Sequence, residues 1–390
     1  MEYVKLGDLI SLVIDYRGKT PLKLKGEWAS EGYRALSALN VKTGGLVAED
    51  KIRFVNEDLY HKWMKQEVNR GDILITSEAP FGQVLQWNSD EKIVLSQRLF
   101  AIRIKTDVDN RYVYYYMTSQ PFQGELKARA TGSTVEGLRQ PALMKCRLSL
   151  PELPLQHRIA SILSTYDTLI ENNTKRIRLL EKMAENLYKE WFVRFRFPGH
   201  ENVEMENGLP KGWKVKKYED ELNVKYGKGL PTDKLTKDGF PVFGSNGQIG
   251  YYTSYMYDTP QILISCRGAS SGVVNISLPK SFITNNSLIC EMTNKTESVF
   301  EYLKYYFLNT NLVQYQTGSA QPQITINNIV KLKLLIPSTD IQIKFADKVR
   351  TLDKEVGNLQ LQNSLLARQR DLLLPRLMSG KLEVKEELLE

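Results

Sequence analysis

Two stretches of the chain repeat apolar residues at alternating intervals of four and three. The first, from about Leu155 to Trp191, places Ile159, Leu163, Tyr166, Ile170, Asn173, Ile177, Leu180, Ala184, Leu187 and Trp191 on one seam. The second, from about Ile341 to Leu374, places Phe345, Val349, Leu352, Val356, Leu359, Asn363, Leu366, Arg370 and Leu373 on another, and Pro375 is expected to stop it. Neither stretch contains proline, and Gly357 is the sole glycine. A four–three repeat sustained this long predicts a coiled-coil seam, whereas a helix packed only on its own domain favours a wider apolar stripe. An antiparallel pairing can set Trp191 against Phe345, Leu187 against Val349, Leu180 against Val356 and Ile170 against Leu366. The same register sets the two polar intruders, Asn173 and Asn363, face to face. A stranded buried amide costs ~1–3 kcal/mol, so the pair penalises a slipped register.

Elsewhere the pattern is one of short β-branched runs closed by Gly, Pro, Asn and Ser, which read as strands and hairpins. These runs occur twice. GDILITSEAPFGQV (71–84) parallels PQILISCRGASSGVV (260–274), and KIVLSQRLFAIRI (92–104) parallels KSFITNNSLICEM (280–292). RYVYYYMTSQ (111–120) and EYLKYYFLNT (301–310) read as a short buried helix in each copy, and VIDYRGKTP (13–21) matches NVKYGKGLP (223–231). TGSTVEGLRQPALMKCRLSLP (131–151) and TGSAQPQITINNIVKLKLLIP (317–337) both open on Thr-Gly-Ser and end in Pro, 186 residues apart. Internal repeats decide an architecture. The expected fold is α+β: two pseudo-repeated globular domains, 1–152 and 198–337, separated by helical segments 153–197 and 338–390 that form an antiparallel coiled coil. The polar stretch 198–213 reads as a linker, and the charged tail after Gly380 is expected to fray.

Composition narrows the function. At 390 residues the chain exceeds one ordinary core, and no apolar run approaches the ~18 residues of a membrane span. The start, MEYVKLGDLI, has no signal-peptide pattern. Three widely spaced cysteines, Cys146, Cys266 and Cys290, argue against a disulfide framework, so a cytoplasmic location is expected. The net charge is +8, most of it outside the helical stretches, which favours a polyanionic partner. Signatures of catalysis are missing. The three histidines show no metal-ligand spacing, and no phosphate loop, methyltransferase motif or nuclease motif is present. FGSNGQIG (243–250) lacks the strand-then-helix setting of a cofactor loop and reads as a turn.

Loops rich in hydrogen-bonding residues remain as DNA-binding candidates: Arg17, Lys19 and Lys23; Lys127, Arg129, Thr131, Ser133, Thr134 and Arg139; Lys228 and Lys234; Arg267, Ser270 and Ser271; Thr317, Ser319, Gln321 and Gln323. Such side chains suit phosphates and base edges, Arg matching guanine and Gln matching adenine. The competing reading of Thr-Gly-Ser and Gln-Pro-Gln is that they are turn and cap residues repeated for structural reasons.

At these residues the chain resembles a known family. LPLQHRIASILSTYDTLIENNTKRIRLLEKMAENLYKEWF (153–192), TGSAQPQI (317–324) and LLLPRLMSGKLEV (372–384) are similar to conserved regions of the specificity subunits of Type I restriction–modification enzymes. TGSTVEGLRQPAL departs from the second copy's QPxI pattern. The resemblance implies a non-catalytic subunit that binds double-stranded DNA, each domain reading one half of a bipartite asymmetric target. It implies helices that set the spacer and dock two methyltransferase subunits, which carry S-adenosylmethionine and methylate adenine. Restriction subunits using ATP and Mg²⁺ would complete the complex, so no cofactor is expected in this chain. A stand-alone DNA-binding scaffold and a divergent DNA-modifying enzyme are the rival readings, and co-purification with a methyltransferase separates them. The purified chain alone is expected neither to methylate nor to cleave DNA with any of these cofactors. Turnover by the lone chain in a methyl-transfer or nicking assay would refute this.

Overall fold

The computed structural model describes residues 2–131, 137–318 and 321–384. The candidates Ser133, Thr134 and Ser319 lie outside them, as does the end of the charged tail. The chain divides into two compact units, residues 1–173 with 362–390 and residues 174–361. The division falls inside the two long helices, because each half of a seam packs on one globular domain.

The first unit is built on a four-stranded antiparallel sheet in the order Ile10–Asp15, Leu99–Ile104, Ile73–Thr76, Val84–Gln86. Both faces are covered. Ile73, Ile75, Phe100 and Ile102 share a core with Tyr112, Tyr116 and the long-helix residues Ile159 and Leu163. Leu74, Leu99 and Ala101 point the other way, to Trp63, Val94 and Leu95. Burial on both sides is why Ile73–Ile75 is an unbroken apolar run rather than an alternating one. A second sheet, Arg53–Val55, Tyr33–Leu36 and Ile93–Leu95, carries one antiparallel and one parallel pairing. Glu2–Lys5 pairs with Arg147–Leu150, so the two ends of the domain meet.

The second unit repeats this plan. Its four-stranded sheet runs Leu222–Tyr226, Ser287–Met292, Ile262–Ser265, Val274–Ile276. Its three-stranded sheet runs Gly247–Tyr252, Phe240–Gly244, Phe282–Ile283, and Lys214–Lys217 pairs with Lys333–Ile336. The tyrosine-rich runs form the helices Asn110–Thr118 and Phe300–Leu308, one per unit. Tyr112 Oη donates to Ser149 O at 2.8 Å, and Tyr302 Oη donates to Leu335 O at 2.6 Å.

The long helices span Leu153–Tyr188 and Thr339–Met378. Within each unit their segments run antiparallel. In the first unit Ile159, Ala160 and Leu163 pack with Leu377 and Met378, Asp167 pairs with Arg370, and Asn173 Nδ2 donates to Gln362 Oε1 at 3.4 Å. The acceptor that Asn173 meets is Gln362, the neighbour of the Asn363 expected from the seam. In the second unit Arg176 meets Glu355 at 2.8 Å, and the Trp191 and Phe345 rings lie 6.0 Å apart. The first helix ends in a π-turn, Lys189–Val193, whose extra residue brings the successive side chains Trp191 and Phe192 into one core.

One expectation is corrected. Pro375 does not stop the second helix, which continues to Met378. Proline forfeits one hydrogen bond at a cost of ~3 kcal/mol, but the extra turn buries Leu377 and Met378, worth ~1.5–3 kcal/mol each. Ser379 N closes the turn on Pro375 O at 3.1 Å. Among the described residues no helix is long and apolar enough to cross a membrane.

Phe345 is fully buried and lies against Tyr188, Trp191, Phe192 and Tyr305. Phe345→Ala is expected to cost about 3–5 kcal/mol in the unfolding transition of the second unit, read by urea titration of tryptophan fluorescence.

Candidate nucleic-acid interface

At one end of each four-stranded sheet, backbone hydrogen bonds gather three loops from distant parts of the sequence. In the first unit Ser77 N donates to Arg98 O at 2.9 Å, and Leu138 N donates to Ser77 O at 2.9 Å. In the second, Cys266 N donates to Asn286 O at 3.0 Å, and Ile324 N donates to Cys266 O at 3.0 Å. The scaffold is the same. The side chains on it are not.

The threonine of each repeated Thr-Gly-Ser has a structural role. Thr131 and Gly137 exchange two backbone hydrogen bonds of 3.0 and 2.9 Å, and Thr317 and Gln323 exchange two of 2.8 and 2.9 Å. Each threonine therefore opens a loop that closes six residues later. The copies then diverge: Gln140 and Pro141 begin the short helix Gln140–Met144, whereas Gln321 and Pro322 stay in the bridged loop.

In the second unit this loop lies along the turn that follows Ile262–Ser265. Arg267 pairs with Gln323 through the backbone, Gly268 N donates to Pro322 O at 3.1 Å, and Gln316 Nε2 donates to Ser271 O at 2.5 Å. Arg267, Thr317, Gln321 and Gln323 are brought together, all exposed. Ser270 bonds Asn246 in the FGSNGQIG turn, and Ser271 is buried beneath. Lys228 joins the same rim, because Asn285 N donates to Lys228 O at 3.1 Å. Gly227 makes that approach possible: a Cβ there would sit 2.3 Å from Thr284 O. Lys234 is exposed on the separate turn Thr232–Lys234.

In the first unit a groove of about 530 Å³ is lined by Arg17, Gly18, Thr20, Lys23, Ser77, Glu78, Gln97 and Arg98. Several of its cations are engaged internally. Arg17 forms a two-pronged pair with Asp15, reaches Leu138 O at 3.2 Å and lies over Phe100. Lys19 Nζ donates to Trp63 O at 2.6 Å and sits over the Tyr16 ring; burial, and then Lys65, lower its pKa from the usual lysine value. Lys23 Nζ donates to Gly18 O at 2.8 Å, and Arg129 is paired with Glu125 at 2.7 Å. Lys127 and Arg139 are exposed, as is Thr131.

Sequence reasoning passed over Arg98 and Asn286, which stand on equivalent turns between strands. Arg98 adopts a left-handed backbone, φ 61°, which is uncommon for a non-glycine residue, and it pairs with Glu78 at 3.2 Å. The signal was available: the aligned runs LSQRL and ITNNS put two polar residues at that turn in both copies. The cysteines play no part at the surface, since burial pushes the Cys146 thiol up to about 11 and Cys290 up to about 12.

The family model for the Type I restriction modification DNA specificity domain matches residues 1–182 and 210–367. The chain belongs to the Type I specificity-subunit family. It is 30% identical over 342 residues to the MjaIX specificity subunit of Methanocaldococcus jannaschii, covering 81% of this chain and 79% of that one. It is 22% identical over 414 residues to the MjaVIII specificity subunit of the same organism, covering 98% and 93%. In fold it is similar to the crystal structure of a Type I S subunit from M. genitalium, with a TM-score of 0.58, 19% identity, and 96% and 95% of the two chains covered. The duplicated domains and long helices of this specificity subunit are thus a family architecture, and its paired loop clusters are where the two copies differ in chemistry.

Arg267→Ala in this specificity subunit is expected to weaken binding of a cognate DNA duplex by about 1–3 kcal/mol and to relax discrimination at one base position, read by competition binding against single-base variants.

Proposed function

We propose that this specificity subunit chooses the DNA target of a Type I restriction–modification complex, each unit's loop cluster reading one half of a bipartite, asymmetric sequence. The observation that supports this most directly is one backbone scaffold carrying two chemistries. Arg17, Glu78 and Arg98 stand on the first copy, and Arg267, Asn286, Gln321 and Gln323 stand on the second. Guanidinium and carboxamide groups are those that read guanine and adenine edges bidentately, so different sets imply different half-sites.

On this reading the long helices act as a ruler and as the docking surface for two methyltransferase subunits. Leu179 and Leu365, 65% and 49% exposed, occupy matching positions 186 residues apart and offer apolar contact for such a partner. The methyltransferase would bring S-adenosylmethionine, and a restriction subunit would bring ATP and Mg²⁺; this chain's contribution is recognition and spacing.

The first helix has 36 residues, a contour of roughly 54 Å or about 16 base pairs, an upper bound on the separation of half-site centres. Inserting seven residues into both helices adds about 10 Å, so the unread spacer is expected to lengthen by about three base pairs. Sequencing the methylated motif in cells that carry the subunit with its methyltransferase measures this, and an unchanged spacer would refute the ruler.

A further inference from the structure

Two hydrogen-bonded ties between the tyrosine-rich helix and the long-helix segment recur in both units. The first is a buried glutamine. Gln156 Oε1 accepts from Asp109 N at 3.0 Å and its Nε2 donates to Pro151 O at 2.8 Å. Gln342 Oε1 accepts from Val299 N at 2.8 Å and its Nε2 donates to Pro337 O at 2.8 Å. The second is a tyrosine hydroxyl. Tyr115 Oη donates to Asp167 at 2.6 Å, and Tyr305 Oη donates to Asp353 at 2.8 Å.

The geometry is the same in both units. From 156 to 167, and from 342 to 353, is three helical turns, so the two anchors share one helix face about 16 Å apart. Each carboxylate is held by a cation as well, Asp167 by Arg370 of the other long helix and Asp353 by Lys304 of the tyrosine-rich helix itself at 2.7 Å. Each unit adds one tie of its own, His157 to Asp109 at 2.6 Å in the first and Arg350 to Glu301 at 2.5 Å in the second. Burial, and then the adjacent carboxylate, raise the pKa values of both tyrosines, so the hydroxyls remain donors at any physiological pH. Burial works against the Arg370 charge, but its bonds to Asp167 and Asp371 outweigh that and keep it protonated.

Ties at one height along a rod leave a domain freer to tilt than ties at two heights, and the tyrosines act at the second height, with Lys304 beside Tyr305. We propose that Tyr115 and Tyr305, through Asp167 and Asp353, are positioning residues that fix the tilt of each recognition domain on its helix and so narrow the spacer lengths the protein accepts. This rests on the reading of two half-sites at a set separation. A shift of ~3.4 Å at the reading loops is one base pair, so small angular play is enough to admit a neighbouring spacer. Neither tyrosine belongs to the loop clusters, so base choice within each half-site is unaffected.

The test uses the subunit assembled with its methyltransferase, on DNA libraries holding both half-sites at every spacer from two base pairs short to two long. Tyr115→Phe and Tyr305→Phe remove one hydroxyl each and leave the buried ring. Tyr115→Phe is expected to raise methylation of the targets one base pair off, relative to the cognate spacer, by about threefold to tenfold, the worth of one hydrogen bond. Tyr305→Phe is expected to raise it by less, because Lys304 still holds Asp353. Tyr306→Phe is the control, because its hydroxyl donates to Lys333 O inside the domain and touches neither long helix. Spacer profiles of the Tyr115 and Tyr305 variants that match the unaltered protein would overturn the inference, and so would equal broadening by Tyr306→Phe. An unaltered protein with no bipartite target would instead overturn the reading beneath it.

Discussion

In each unit a glutamine at the start of the long-helix segment is sealed from water and gives both ends of its amide to backbone groups. Gln156 and Gln342 cap the open end of a tyrosine-rich helix on one side and hold the proline that ends the last strand on the other. A buried amide must be satisfied on both ends, so this contact tolerates one geometry. The sheet packs on the tyrosine helix, the tyrosine helix on the long helix, and the loop clusters rise from the sheet. The loop clusters therefore inherit their place from that contact.

The loops at the far end of the sheet differ between the two copies. There the backbone hydrogen bonds are duplicated while the side chains diverge in charge, with Glu78 in the first copy standing where Arg267 stands in the second. Internal pairing consumes much of the first copy's positive charge, through Asp15, Glu78 and Glu125. A groove lined by cations that are already partnered presents orientation more than net charge, which suits selective contact over general attraction to phosphate.

The seams and strands were legible in the residues for definite reasons. A long four–three repeat is produced by a helical seam and by little else, and Ile73–Ile75 and Ile262–Ile264 are apolar throughout because both faces of their sheet are covered. Pro375 misled, because a local rule about proline does not weigh the burial that follows it. Gln156 and Gln342 escaped notice because a glutamine in a polar helix start looks exposed; their recurrence 186 residues apart, with Asp167 and Asp353, was the clue. At the candidate interface residue type was readable but availability was not. Lys19 and Arg129 look like Lys127 and Arg267 in sequence, and only packing shows that the first two are occupied.

The short strand pairs that close each domain have a further effect. Glu2 lies opposite Leu150, and Lys214 lies opposite Ile336, so the chain leaves each domain about 5 Å from where it entered. The helices begin three residues later in both cases, at Leu153 and Thr339. Residues gained or lost in the loops between those paired strands are absorbed as loop length, at a closure cost of only ~0.6 kcal/mol per doubling. The domains are closed parentheses in the chain: their contents can be rewritten, lengthened or trimmed while the text outside them keeps its place.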